Sequence, residues 1–188
     1  MASNASKPYQ AQLIRNFFPV PETLVTNVEA DVLAFWREHK RIIYKSTSGM
    51  RSIVQEFSEN DAARLEHLDC CPVQFQRFIE GQDVRVHVVG TTTFGTLVES
   101  SAVDYRYGHH DGHQATLSAV EIPGEVSTSC VALTRALGME FTGIDLRMAA
   151  DGEWYCFEVN PSPAYSYYQE NTGQPIADVL VQYLCGGG

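Results

Sequence analysis

No run of apolar residues in this chain approaches the roughly 20 that a membrane-crossing helix needs. The opening MASNASKPYQ also lacks the apolar stretch of a secretion signal. Cations are scarce: 13 Lys and Arg stand against 23 Asp and Glu, a formal net charge of −10. That balance argues against direct nucleic-acid binding through a broad basic surface, yet it leaves room for an anionic substrate held by a few local cations. The five cysteines are odd in number and never spaced C-x-x-C. Reduced thiols in a cytoplasmic protein fit this better than a disulfide framework or a zinc site. Neither G-x-G-x-x-G nor G-x-x-x-x-G-K-[ST] occurs, which removes the Rossmann turn and the Walker loop. No G-x-S-x-G elbow supports a covalent hydrolase.

What is present divides into segments of distinct periodicity. Residues 9–18 read as a helix with Leu13, Phe17 and Ile14 inward, ended by Pro19 and Pro21. ETLVTN is a short strand, and residues 28–39 form a helix with Val32, Leu33, Phe35 and Trp36 at helical spacing. RIIYK is a strand. Ser58 with Asp61 has the form of a capping box opening a helix to about Leu68. VQFQRFI, DVRVHVVG and TFGTLVESSAV are strands, YRYGHHDGHQ a polar loop, and residues 115–122 a further strand. Pro123 opens a helix that Gly138 ends. A hairpin, a YSYYQENTG loop and a last helix from Pro175, with Ile176, Val179, Leu180 and Leu184 on one face, complete the chain. Helices and strands segregate more than they alternate, so the fold class is α+β, in two lobes.

The hairpin carries the strongest chemical signal. Asp151-Gly152 lies between two alternating apolar runs, FTGIDLRMAA and EWYCFEVN, and predicts a two-residue turn. That register sets Asp145 opposite Glu158, with Asn160 two residues on along the same face. Ile144, Leu146 and Met148, with Tyr155, Phe157 and Val159, form the opposite, core-facing side. Like charges directly opposed destabilise a strand pair. Two readings are open: a solvated outer surface, or a site where oxygen donors hold a hard cation such as Mg²⁺.

Two other stretches admit a functional and a bland reading. In IIYKSTSGMRS, Lys45 leaves a strand into a Ser/Gly loop that could cover phosphates, or be simply an exposed polar turn. In VQFQRFIEGQDVRVHVVG, backbone groups of Arg77 to Ile79 could meet a flat base, with an acid for ribose hydroxyls, or the stretch could be a hairpin with a charged face. His109, His110, Asp111 and His113 fit a turn in a polar loop better than a metal site.

Taken together, these motifs resemble the ATP-grasp superfamily, in particular its glutamate-ligase-like branch that modifies ribosomal proteins and peptides. GIDLR…WYCFEVNPSP is similar to its metal signature, IIYKSTSG to its phosphate lysine and mobile loop, VQFQRFIEGQDVRVHVVG to its adenine hinge and ribose acid, and KPYQ to its upstream lysine. The resemblance implies two lobes with antiparallel sheets enclosing ATP: residues 7–80 as the smaller and 81–185 as the larger, with residues 1–6 and 186–188 as flexible ends. It implies Asp145, Glu158 and Asn160 as ligands of Mg²⁺, with Mn²⁺ as a substitute. The nucleotide would be held by Lys7, Lys45, Ser46, Ser48, Gly49, Gln76, Arg77, Phe78, Ile79 and Asp83. Arg85, Arg106 and Arg147 would hold the substrate carboxylate or the transferred phosphate. The implied activity is a carboxylate–amine ligase working through an acyl phosphate, on an amino acid and a peptide or protein. In this superfamily an α/β domain usually precedes the KP motif, whereas this sequence begins almost at that motif; the alternative function is an ATP-binding module without turnover.

Overall fold

A computed structural model describes residues 7–46, 54–99 and 116–186. Helix α1 (Lys7–Ile14) is followed by β1 (Thr23–Thr26), α2 (Glu29–His39), β2 (Ile42–Ser46), β3 (Gln55–Glu56), the short α3 (Glu59–Ala62), a 3₁₀ turn over Leu65–Cys70 and β4 (Val73–Arg77). Then come β5 (Gly81–Val89), β6 (Thr92–Glu99), β7 (Thr116–Val120), α4 (Gly124–Ala136), β8 (Phe141–Ala149), β9 (Trp154–Asn160), α5 (Ser166–Thr172) and α6 (Ile176–Leu184).

The described residues group into two units. Pro21–Ile79 form one; residues 7–20, 80–99 and 116–186 form the other. The expected smaller lobe over residues 7–80 therefore differs at its start. Residues 7–20 go with the larger unit because Ile14 and Phe18 are buried in its core, against Val84, Val86, Ile144 and Leu146 among others. Ile14, expected inward, is buried there together with Phe18, and Phe17, also expected inward, is partly buried against the same core, whereas Leu13 is not part of it.

In the smaller unit, an antiparallel sheet of order β1-β4-β2-β3 packs Ile42 and Phe75 against Val32, Phe57 and Leu65. Helix α2 starts with Glu29 and Asp31 and ends with Arg37 and His39, charges that complement its dipole. The capping box of Ser58 and Asp61 forms, but the helix it opens stops at Ala62 and continues only as the 3₁₀ turn.

In the larger unit the sheet is antiparallel throughout, in order β7-β6-β5-β8-β9. Val84, Val86 and Val88 of β5 join Ile144, Leu146, Cys156 and Val159 in a core closed by Val126, Cys130 and Leu133 of α4. Pro123 caps α4, and Gly138, at φ +69°, supplies the left-handed residue after it. YSYYQENTG, read as a loop, is helical as α5. Its stop signal is Gly173 at φ +71°, whose N–H donates to the Gln169 carbonyl at 2.8 Å, and its anchor is the buried Tyr168. In α6, Ile176 is fully buried whereas Leu184 is 73% exposed, so the expected inward face stops short of the last turn. Among the described residues no helix is long and apolar enough to cross a membrane.

Candidate functional site

The Asp151-Gly152 hairpin forms, but not with the two-residue turn its sequence predicts. The Gly152 N–H donates to the Ala149 carbonyl at 3.0 Å, and the Ala149 N–H donates to the Glu153 carbonyl at 2.9 Å. With Gly152 at φ +88°, this is a three-residue loop in which glycine takes the left-handed position. The pairing is consequently one residue out of step: Met148 faces Trp154, Arg147 faces Tyr155 and Leu146 faces Cys156. A β-bulge at Phe157 then restores the step, and Asp145 faces Glu158 after all. The core side of β9 is accordingly Trp154, Cys156 and Val159. Tyr155 and Phe157, expected there, lie elsewhere, and the Phe157 ring sits 5.3 Å from the Arg147 guanidinium carbon.

Across the sheet face opposite the core, residues line up in rungs. One rung runs Thr96, Arg85, Asp145, Glu158 across β6, β5, β8 and β9; another runs Asp83, Arg147, Tyr155. Each contains an ion pair. Arg85 Nη1 donates to Asp145 Oδ1 at 2.6 Å, with the arginine side chain only 7% exposed. Arg147 grips Asp83 with both arms of its fork, Nε to Oδ1 at 2.7 Å and Nη2 to Oδ2 at 2.8 Å. Two of the arginines proposed to hold substrate are thus matched with two of the acids proposed to hold ligand. Glu158 has no cationic partner among the described residues. Asn160 Oδ1 accepts the Ser162 N–H at 2.9 Å, which fixes its amide, and this oxygen has a second lone pair.

Three residues that local patterning misses shape this face. Gly143 lies opposite Asn160 and beside Arg85, and a Cβ there would land on the Arg85 guanidinium. Tyr168 of α5 lies 5.7 Å below the Arg85 guanidinium and 4.8 Å from the His87 ring. His87 is fully buried, and neither ring nitrogen finds a hydrogen-bond partner of ordinary geometry among the described residues. Burial first, then the Arg85 charge, pushes its pKa from 6.5 down to about 3; Asp145 and the nearby Ala164 carbonyl offset this only in part. It is a neutral imidazole. Burial likewise pushes the Cys130 thiol up to about 12 and Cys156 well above the ordinary range, so neither is a nucleophile.

The remaining sequence-predicted residues fall elsewhere. Lys45 is half-buried on β2, opposite Gln74 of β4. Gln76 is buried, with Nε2 donating to Thr23 Oγ1 at 3.0 Å. The N–H groups of Arg77 and Phe78 donate to the Glu22 and Arg41 carbonyls at 2.9 and 3.0 Å, so a base would have to meet this segment through other groups. Ile79 is buried at the end of the smaller unit. Lys7 is the first residue of α1 and Ser46 the last of β2. Ser48, Gly49, Arg106 and the cluster His109, His110, Asp111 and His113 lie outside the described residues.

No group of three or more His, Cys, Asp or Glu side chains gathers among the described residues. A divalent cation on this face would therefore take two carboxylates and an amide oxygen, all hard donors, and complete its shell with water or phosphate oxygens. That set fits Mg²⁺.

Two antiparallel sheets with an acid-bearing hairpin at the edge of the second make this an ATP-grasp fold. The chain belongs to the RimK-like ATP-grasp domain family, which matches residues 7–184. It is 33% identical over 113 residues to "Probable alpha-L-glutamate ligase" of Parasynechococcus marenigrum (strain WH8102), covering 58% of this chain and 24% of that protein. The solved ATP-grasp ligase PsnB, complexed with a phosphomimetic variant of minimal precursor, Mg and ADP, superposes with a TM-score of 0.83 at 29% identity, over 97% of this chain and 59% of PsnB. A RiPP-associated ATP-grasp ligase of Chryseobacterium gregarium, in complex with ADP and a leader and core peptide, shares the fold at a TM-score of 0.85 and 21% identity, over 98% of this chain and 60% of that one. The chain thus spans about a quarter of the first relative and about three-fifths of the two structures.

Proposed function

We propose that the chain is an ATP- and Mg²⁺-dependent carboxylate–amine ligase, or the catalytic core of one, acting in the cytoplasm on an amino acid and a peptide or protein. The observation that carries this reading is a charge deficit. In the rung Arg85–Asp145–Glu158, two carboxylates stand opposed, and the one arginine beside them pairs with Asp145, leaving Glu158 without a cationic partner among the described residues. Opposed acids cost stability unless compensated, and a bound divalent cation on Asp145, Glu158 and Asn160 supplies the missing charge. When bound, Mg²⁺ (or Mn²⁺) would neutralise charge on the phosphates.

The residues of the chain then divide the work. Lys7 and Lys45, with Ser46, Ser48 and Gly49, offer cations and donors to phosphates. Gln76 and the segment Arg77–Ile79 meet the base, and Asp83, steadied by Arg147, accepts from ribose hydroxyls. Arg85 holds Asp145 in place, and Arg106 holds the reacting group. In the reaction a substrate carboxylate oxygen attacks the γ-phosphorus, the bond to ADP breaks, and an acyl phosphate forms. An amine nitrogen attacks the acyl carbon, phosphate leaves with the C–O electrons, and the nitrogen loses a proton. Catalysis is positioning and charge compensation.

The test is ADP release from ATP and Mg²⁺ against a panel of amino acids and peptides, with Arg106→Ala alongside. Stimulated release by the native chain, lost in the variant while ATP still binds, supports the ligase. ATP binding with no stimulated release by any acceptor gives the reading to an ATP-binding module.

A further inference from the structure

Strand β9 is the outer strand of its sheet, yet its free edge is not left to water. The Cys156 N–H donates to the Pro19 carbonyl at 3.0 Å. Beyond the bulge, the side chain of Gln10 takes over. Its Nε2 donates to the Val159 carbonyl at 2.7 Å, and its Oε1 accepts the Val159 N–H at 3.1 Å. Gln10 is only 5% exposed. A primary amide carries the same donor–acceptor pair as a peptide unit, so Gln10 acts as one residue of a sixth strand. The residue it grips lies between Glu158 and Asn160, two residues after the irregularity at Phe157. On its own helix, Gln10 follows Lys7 by one turn.

We propose that Gln10 is a positioning residue for the metal-binding oxygens: by clamping both backbone groups of Val159 it sets the directions of Glu158 and Asn160 and ties them to the helix that begins at Lys7. The proposal rests on the metal reading given above. A bulge loosens the ladder where it occurs, and two carboxylates that repel one another have reason to splay. A two-point clamp opposes both tendencies before any cation arrives, so that cation binding need not supply the ordering.

The test uses Gln10→Met, which keeps the length and apolar volume of the side chain and removes both hydrogen bonds. ATP binding is titrated by calorimetry across Mg²⁺ concentrations, well below the melting temperature, with Glu158→Gln in parallel. The expected result is a Mg²⁺ half-saturation raised about 10-fold or more, the scale on which supporting residues tune metal affinity, with full ATP binding restored by excess Mg²⁺. Amide exchange at Val159 should quicken in the same variant. ATP affinity lowered equally at all Mg²⁺ concentrations, or left unchanged, overturns the proposal. If Glu158→Gln leaves the Mg²⁺ dependence intact, the metal reading itself has failed; if only Gln10→Met does, the clamp alone has failed. Should Gln10→Met not fold, Gln10→Asn, too short to make both bonds, takes its place with the same criteria. Failure of both to fold also overturns the proposal, because it assigns the amide to the fold.

Discussion

Arg85 reaches across from β5 to Asp145 on β8 at 2.6 Å, and the next acid in the same rung, Glu158, is left without a cation among the described residues. One buried arginine at the side of Asp145 away from Glu158 divides the duties of the two acids: Asp145 is compensated by Arg85, and Glu158 faces no cation among the described residues.

Replacing Glu158 by Gln should therefore leave the fold intact and weaken Mg²⁺-dependent ATP binding, by about 10–100-fold or more if the scale for perturbed metal sites applies. Calorimetry with and without Mg²⁺ measures it. Unchanged nucleotide affinity would remove the metal assignment.

Arg85→Met should behave differently. It strands Asp145 beside a buried surface, and breaking a largely buried pair from one side costs about 3–5 kcal/mol. The melting temperature should drop along with any activity. A variant of native stability that has lost only turnover would show that Arg85 serves substrate rather than Asp145.

Gly143→Ala tests the same pair from the backbone, because the added methyl would occupy the space of the Arg85 guanidinium. Overpacking of this kind costs about 1–3 kcal/mol. Denaturant unfolding should show the loss, and it should shrink in an Arg85→Met background, where the methyl meets no guanidinium.

Lys45→Ala should weaken ATP much more than adenosine, since a lost point charge acts on phosphate. Equal weakening of both ligands in competition binding would assign Lys45 to packing.

A pH dependence follows from His87. With its folded pKa near 3 against an ordinary 6.5, the unfolded chain takes up a proton here before the folded one does. The contribution of His87 to stability is full above about pH 6.5 and is lost as pH falls from there towards 3. Melting temperatures measured between pH 7 and 4 should fall less steeply in His87→Phe than in the native chain. Identical slopes would mean that the imidazole escapes to water before the protein unfolds.

Much of this was readable from local pattern. The capping box of Ser58 and Asp61 and the Pro123 and Gly138 bounds of α4 follow from residue type and spacing. The opposition of Asp145 to Glu158 holds only because two deviations cancel: the loop has one residue more than its Asp-Gly pair suggests, and the bulge takes up the difference. A bulge at Phe157 has no signature in a strand of mixed apolar and polar residues. The Gln10–Val159 clamp spans 149 positions, and no periodicity reports a contact so distant. Helix α5 was hidden because two adjacent tyrosines, an asparagine and an unmarked start do not outline an apolar face. Its stability comes from the packing of Tyr168 near Arg85 and His87.

The paired irregularities of the β8–β9 hairpin also constrain how its sequence can drift. Loss of one of the three loop residues leaves a two-residue turn between Ala149 and Glu153, with Met148 still opposite Trp154 and the rest of the pairing unchanged. Straightening the bulge with no residue lost is different: it moves Glu158 one step away from Asp145 and turns it to the other face. The hairpin should accordingly tolerate a shortened loop and resist any change that flattens β9 at Phe157.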